Sequence, residues 1–382
     1  MRRFPAWIVT FLLAVFACAL LGTGFRARAA APSTPPTAIF VYVADNNSNA
    51  ISAFQMDPGT GALTAVAGSP FLTDLAPEFL ASYRSAFLYV SNAKSNDISA
   101  FSVNGASGAL TPVPGSPFAC GTQPAGITVI ASANLLFVAN EGSSNVSGFQ
   151  IDPGTGALSA VSGSPFAAGN GPFGITVNPA GTLLYVNDHL ASVVSGYAIG
   201  TNGSLTPVPN SPFVTGETPI GIATDPTGKF LYIVDHMQIA HPSQNGIASY
   251  AIDQSSGSLT HVAGVLAPPV TCHSACHVNP FGLALHPTKA IAYTTNIGAD
   301  SVSAYTLAGD GTLSPLEAPL PTGRHPFGIA LDPRGKFLYV TNKIDHSVSG
   351  FAVHSNGKLS AVAGSPFHTG GGPSGIVLLA AQ

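Results

Sequence analysis

Apolar residues along this chain fall in short runs, and where polar residues interrupt them the alternation has a period of two, the mark of strands on a core. "SVVSGYAI" (Ser192–Ile199) alternates inward and outward positions, while "LLYVND" (Leu183–Asp188) and "PFGITVNP" (Pro172–Pro179) are short apolar runs. Tight-turn sequences separate them: "NPAG", "DPTG" and "DPRG", in which Pro presets the bend, then "TNG" or the "DPGTG" of Asp57–Gly61 and Asp152–Gly156. "SLTPVP" supplies a fourth strand and "NSPF" the link onward. Four predicted strands without a helical period make one unit of about 47 residues.

The unit occurs seven times. Its second strand carries an aromatic residue at Tyr42, Tyr89, Phe137, Tyr185, Tyr232, Tyr293 and Tyr339, at spacings of 47, 48, 48, 47, 61 and 46. Four short strands repeated at this period predict an all-β, seven-bladed β-propeller, each blade a small twisted antiparallel sheet packed face to face on its neighbours. The ends support ring closure. Only "APSTPPT" precedes the first "AIFVYVADN", so the first unit lacks its inner strand, and the last unit ends on a surplus "PSGIVLLA" (Pro373–Ala380) of inner-strand pattern. The C-terminal strand is therefore expected to complete the first blade, which removes the edges a linear array would expose.

With "YVTN" (Tyr339–Asn342) in view, the chain resembles the YVTN-repeat propellers and, over its whole mature length, the seven-bladed lactonase family that includes 6-phosphogluconolactonases. The resemblance implies the fold strongly and an activity less so, since one propeller hosts many functions. In "FVANEGSSNVSGF" (Phe137–Phe149), Glu141 matches a family glutamate that follows the Asn. The family's Pro-Arg-His pair at an inner-strand start has no counterpart among "PAG", "PFG", "PIG", "PFG", "PFG" and "PSG"; Arg324–His325 stands one step early, in "TGRHPFG".

The first 29 residues predict an export signal: Arg2 and Arg3, the apolar run Trp7–Gly22, and small residues in "ARA" (Ala27–Ala29). A lipidated Cys18 is the weaker alternative, because Phe16 stands where a small residue belongs. The propeller is assigned to 30–382, secreted or periplasmic, with no membrane span after cleavage. Loss of Arg2, Arg3, Arg26 and Arg28 leaves nine basic residues against 17 acidic ones, a formal charge of −8. An acidic chain without a basic cluster is not a nucleic-acid binder. The partners expected instead are a small-molecule or carbohydrate-like ligand, or another extracytoplasmic protein, for a monomeric chain.

Repeated polar residues read as structure. Three residues after each aromatic stands Asp45, Asn92, Asn140, Asp188, Asp235, Asn296 or Asn342, and six units place a Ser across the hairpin (Ser52, Ser99, Ser147, Ser195, Ser303, Ser349), with Ala248 in the fifth. An Asx–Ser clip at the strand end explains the pattern. The "SPF" link is expected to wedge its Phe between blades.

Function is expected where the repeat breaks. Between the fifth and sixth units, insertions carry "DHMQIAHPSQNG" and "PPVTCHSACHVNPFG", both predicted at the channel mouth. His189, His236, His241, His273, His277, His325, His346 and His368 map to that face. "CHSACH" has three residues between its cysteines, against two in the usual haem motif. A Cys272–Cys276 disulfide pinning the loop is the favoured reading. No cofactor is expected beyond a possible divalent transition metal on His236, His241 and His277, with His273 nearby.

Two functions follow. The first is a secreted binding or interaction propeller whose mouth is bordered by His236, His241, His273 and His277. The alternative is a lactone hydrolase in which His325 or His189 is the general base, Glu141 orients substrate or activates water, and Arg324 polarises the carbonyl. The missing Arg-His pair favours the first.

Overall fold

The computed structural model describes residues 38–236, 246–266 and 278–381. Each sequence unit is an antiparallel sheet. In blade 4 the strands run Pro172–Val177, Leu183–Asp188, Val193–Ile199 and Leu205–Pro207 from the channel outward. Seven such sheets form the propeller. Its second strands are buried on both faces because each blade is sandwiched between two others, so they read as continuous apolar runs. The cores lie between blades: Tyr42, Ile51 and Val66 of blade 1 pack with Leu88, Val90 and Phe101 of blade 2.

Closure follows the expected register. The strand Pro373–Ala380 pairs antiparallel with Ile39–Asp45, placing Phe40 opposite Leu379, Tyr42 opposite Val377 and Val43 opposite Ile376. Beyond it, the amides of Asn46 and Asn47 donate to the carbonyls of Gly372 and Gly371.

The aromatic of the repeat joins blade to blade. The hydroxyls of Tyr42, Tyr89, Tyr185, Tyr293 and Tyr339 donate, at 2.6–2.8 Å, to the carbonyls of Gly108, Gly156, Gly257, Gly357 and Gly61 in the next blade's outer hairpin. In five blades the "SPF" link breaks the outer strand into two pieces: its Ser Oγ accepts a third-strand amide at 2.9 Å, from Ala53, Ala100, Gly148, Gly196 and Gly350. Its Phe packs as expected, Phe71 against the blade 1–blade 2 core and Phe118 against the blade 2–blade 3 core.

Blade 5 differs. Its outer strand runs unbroken from Leu259 to Leu266 along the third strand, Gly246–Ile252, whereas blade 6, which also lacks the link, splits into Leu313–Pro315 and Leu320–Pro321. Asp235 pairs with Gly246, and Gly246 with Leu266. The residues that anchor both insertions therefore lie at one end of blade 5, the end where the Asx residues sit.

Candidate active site at the channel mouth

The clip forms as expected. Ser52 donates to Asp45 and Ser195 to Asp188, both at 2.6 Å. The amides of Asn92, Asn140, Asn296 and Asn342 donate to Ser99, Ser147, Ser303 and Ser349 at 2.8–3.0 Å. Burial pushes the carboxyls of Asp45 and Asp188 up to about 6 despite the serine hydroxyls, and that of Asp235, which has no serine, up to about 7.

One residue further on, the chain turns toward the channel. Asn46, Ala93, Glu141, His189, His236, Ile297 and Lys343 occupy this place, all half-buried. Each backbone amide donates to the carbonyl of the residue preceding the inner-strand proline of its own blade: Gly372, Ala76, Gln123, Gly171, Thr218, Asn279 and His325, at 2.9–3.1 Å. All seven acceptors have positive φ, His325 at 58° among them. This left-handed turn aims the carbonyl back at the hairpin and fixes a ring of seven side chains around the mouth.

The floor comes from the inner strands. Six of them read Pro-x-Gly. A Cβ on Gly126, Gly174, Gly221, Gly282, Gly328 or Gly375 would collide with a carbonyl oxygen of the neighbouring inner strand, so glycine permits the strands to converge. The seventh reads Pro77–Glu78–Phe79. Phe79 joins three phenylalanines in a closed circuit of edge-on and tilted rings: Phe79–Phe173 at 5.5 Å, Phe173–Phe281 at 6.0 Å, Phe281–Phe327 at 4.1 Å and Phe327–Phe79 at 6.1 Å. These rings and the convergent glycines line a cavity of about 190 Å³.

Over this apolar floor stand the ionisable groups. His189 Nε2 and Glu141 Oε1 are 3.1 Å apart, with side chains 14% and 33% exposed, from adjacent blades. The His189 ring also packs on Phe173, centroids 5.6 Å apart. His236 Nδ1 lies 2.9 Å from the Pro280 carbonyl; a carbonyl only accepts, so Nδ1 carries the proton and Nε2 keeps a lone pair. Burial lowers the pKa of His236, helped by His325 and His189, and burial followed by Lys343 lowers that of His325. Lys343 Nζ sits 4.4 Å above the Phe327 ring. Glu78 accepts from Asn46 Nδ2 at 2.8 Å; burial raises its pKa, Lys343 opposes the shift and Glu141 adds to it.

The structure thus brings Glu141, His189, His236 and His325 to one mouth, together with Glu78, Lys343 and Phe79. Glu78 and Phe79 escaped the sequence reading. Their signal in the sequence is "PEF", which departs from the Pro-x-Gly of the other six inner strands. Arg324 is engaged elsewhere. Its Nε donates to Asp345 at 2.6 Å and its side chain is 65% exposed. His241, His273, His277 and both members of the expected Cys272–Cys276 disulfide lie outside the described residues. Among the described residues, no group of three or more His, Cys, Asp or Glu side chains could hold a metal ion. Cys120 is half-buried and unpaired there, its thiol pushed up to about 12, mainly by burial.

Comparison with known proteins gives the same architecture. The family described as lactonase, 7-bladed beta-propeller, matches residues 22–121, 76–168, 162–274 and 267–374. No curated protein sequence matches. Among solved structures, a candidate 6-phosphogluconolactonase from Bacteroides fragilis is 19% identical, covering 91% of this chain and 100% of its own, with a TM-score of 0.77. The periplasmic gluconolactonase PpgL of Pseudomonas aeruginosa is 18% identical, with coverage of 91% and 100% and a TM-score of 0.76. A Lactobacillus plantarum protein is 21% identical, with coverage of 90% and 99% and a TM-score of 0.73. At these identities the likeness to solved structures is one of fold, while the family match spans nearly the whole propeller. The chain belongs to the lactonase family of seven-bladed β-propellers.

Proposed function

We propose that the protein is an exported lactone hydrolase working at the channel mouth. The observation that carries this reading is the His189–Glu141 pair, 3.1 Å apart on adjacent blades, over a floor of phenylalanine rings. An imidazole held by a carboxylate through one N–H offers its other nitrogen as a positioned base. Family membership supports hydrolysis over the binding-module reading, and Lys343 and Glu78 supply charged groups at a mouth that lacks the Arg-His pair. Export is supported by the basic, apolar and small-residue sequence of the first 29 residues.

In the proposed reaction His189 donates Nε2–H to Glu141 and takes a proton from water on Nδ1. The water oxygen bonds to the lactone carbonyl carbon, and Lys343 offsets the charge that develops on the carbonyl oxygen. The tetrahedral intermediate then breaks its ring C–O bond, and His189 returns the proton to the departing ring oxygen. One water is consumed and one hydroxy acid released. His236, neutral by burial and with its Nε2 lone pair available, accepts a hydrogen bond from the substrate or the attacking water.

The test is acid release from a panel of lactones by the chain beginning at residue 30. Glu141→Gln and His189→Asn should each lower kcat about 100-fold while the melting temperature stays within roughly 2 °C of the parent. A parent protein that opens no lactone would sink the reading.

A further inference from the structure

We infer that the mouth is built for an uncharged lactone carrying an aryl or alkyl arm, and that it rejects phosphorylated sugar lactones. This rests on the hydrolase reading and goes beyond it in naming the substrate class.

The first support is the floor. Phe79, Phe173, Phe281 and Phe327 close an aromatic circuit, and Ile220 and Ile297 pack against it. A ligand centred on the channel axis therefore rests on ring faces and edges, which suit an aromatic or aliphatic surface and offer a sugar face no hydrogen bonds. The rim continues this character. Leu75, Leu190 and Ile344 are all exposed, and each belongs to a hairpin or link that carries the mouth: Leu75 precedes Ala76, Leu190 follows His189 and Ile344 follows Lys343.

Charge is the second and independent support. A phosphate monoester carries between one and two negative charges near neutrality and calls for a cationic clamp, for which paired arginines are suited. Among the described residues at this mouth are two carboxyls, Glu141 and Glu78, the second held back from ionising by burial and by the field of Glu141, and three histidines: His189, engaged with Glu141, and His236 and His325, whose pKa values burial lowers. Arg324 is taken by Asp345. Lys343 lies on Phe327 and within the field of Glu78. Among the described residues, a phosphate entering this site would meet one lysine already partnered, a histidine engaged with Glu141, and two acids. An uncharged lactone still receives what the reaction needs, one cation near its carbonyl.

Four probes decide the matter: dihydrocoumarin, γ-undecalactone, D-glucono-δ-lactone and 6-phospho-D-glucono-δ-lactone. The expected kcat/KM for the better of the first two exceeds that for the phosphorylated lactone at least about 100-fold. Phe281→Leu and Phe327→Ala, each checked by melting temperature, should lower the aryl-lactone rate about tenfold and the gluconolactone rate much less. Preference for the phosphorylated lactone, or equal rates across the panel, would overturn the substrate assignment and leave the hydrolase reading standing. Calorimetric titration of the Glu141→Gln variant with dihydrocoumarin separates the two ideas. Selective binding by that variant with no turnover by the parent would overturn hydrolysis but support the apolar site. No binding at millimolar ligand, together with no turnover, would overturn both.

Discussion

Two rings of residues circle the channel mouth one peptide bond apart. The inner side of each hairpin presents Asn46, Ala93, Glu141, His189, His236, Ile297 or Lys343, with no residue type shared by more than two blades. The residue just before is always Asn or Asp, buried and, in every blade but the fifth, held to the hairpin by its serine clip. The two rings share a backbone, since the turn that the Asx side chain stabilises is the turn that aims the next side chain inward. What separates them is the partner each side chain meets. Asx residues bond to their own blade, so every blade needs one. The following residues face a common space, where seven identical groups would only repel or duplicate one another. Repetition marks the scaffold, and its failure at the adjacent position marks the site.

Opening the ring should break both at once and produce the largest effect. Truncation after Pro373 removes the inner strand of blade 1 with the buried side chains Ile376, Leu378 and Leu379. At roughly 1.5–3 kcal/mol for each large apolar side chain, the loss is about 5 kcal/mol or more. Thermal melting should show a clear fall, and hydrolysis should disappear. A truncated chain that melts like its parent would mean that the ring is closed by some other contact.

Neighbouring substitutions should separate the rings. Glu141→Gln is expected to cost activity about 100-fold and almost no stability. Asn140→Ala, one residue earlier, removes donors to Asn145 at 2.8 Å and to Ser147 at 2.9 Å. It should cost on the order of 1–3 kcal/mol in urea unfolding because buried partners are left unpaired, with kcat/KM changed less than about threefold at a temperature where both proteins are folded. If Asn140→Ala abolished turnover at full stability, the division between scaffold and site would be wrong at this blade.

Much of the fold was legible because each blade is a local pattern written seven times, and closure could be read from a strand missing at one end and spare at the other. The clip was legible for the same reason. The site was legible in part. Glu141, His189 and His236 are 48 and 47 residues apart, one repeat each, which sets them at equal height on successive blades. The phenylalanine floor was not legible, since Phe79, Phe173, Phe281 and Phe327 meet only once the ring has brought four inner strands to one axis. Nor was the engagement of Arg324, whose partner Asp345 lies 21 residues away across a blade. Side-chain pairing of that kind depends on the height of two loops, which strand periodicity does not encode.

Blade 5 provides the finest comparison, because it alone has an Asx residue without its serine. Asp45 and Asp188 each take a serine hydroxyl at 2.6 Å and titrate near 6, whereas Asp235 keeps only the Gly216 amide among its pKa-lowering contacts and rises to about 7. Its folded value lies above the ordinary 3.8. Between about pH 4 and pH 7 the folded chain therefore holds a proton that the unfolded chain has released, and stability is lost as pH rises through that window. Ala248 stands where the other blades have serine, in register with Ile233 as Ser195 is with Val186. Ala248→Ser should return Asp235 toward the value of Asp188, about one unit lower, which corresponds to about 1.4 kcal/mol of added stability above pH 7. At pH 4, where the carboxyl is protonated in the folded state, the gain should nearly vanish. Urea unfolding of parent and variant at pH 4 and pH 8 measures both values. An equal gain at the two pH values would assign the effect to packing of the hydroxymethyl group rather than to the carboxylate, and would remove the clip's electrostatic role from blade 5.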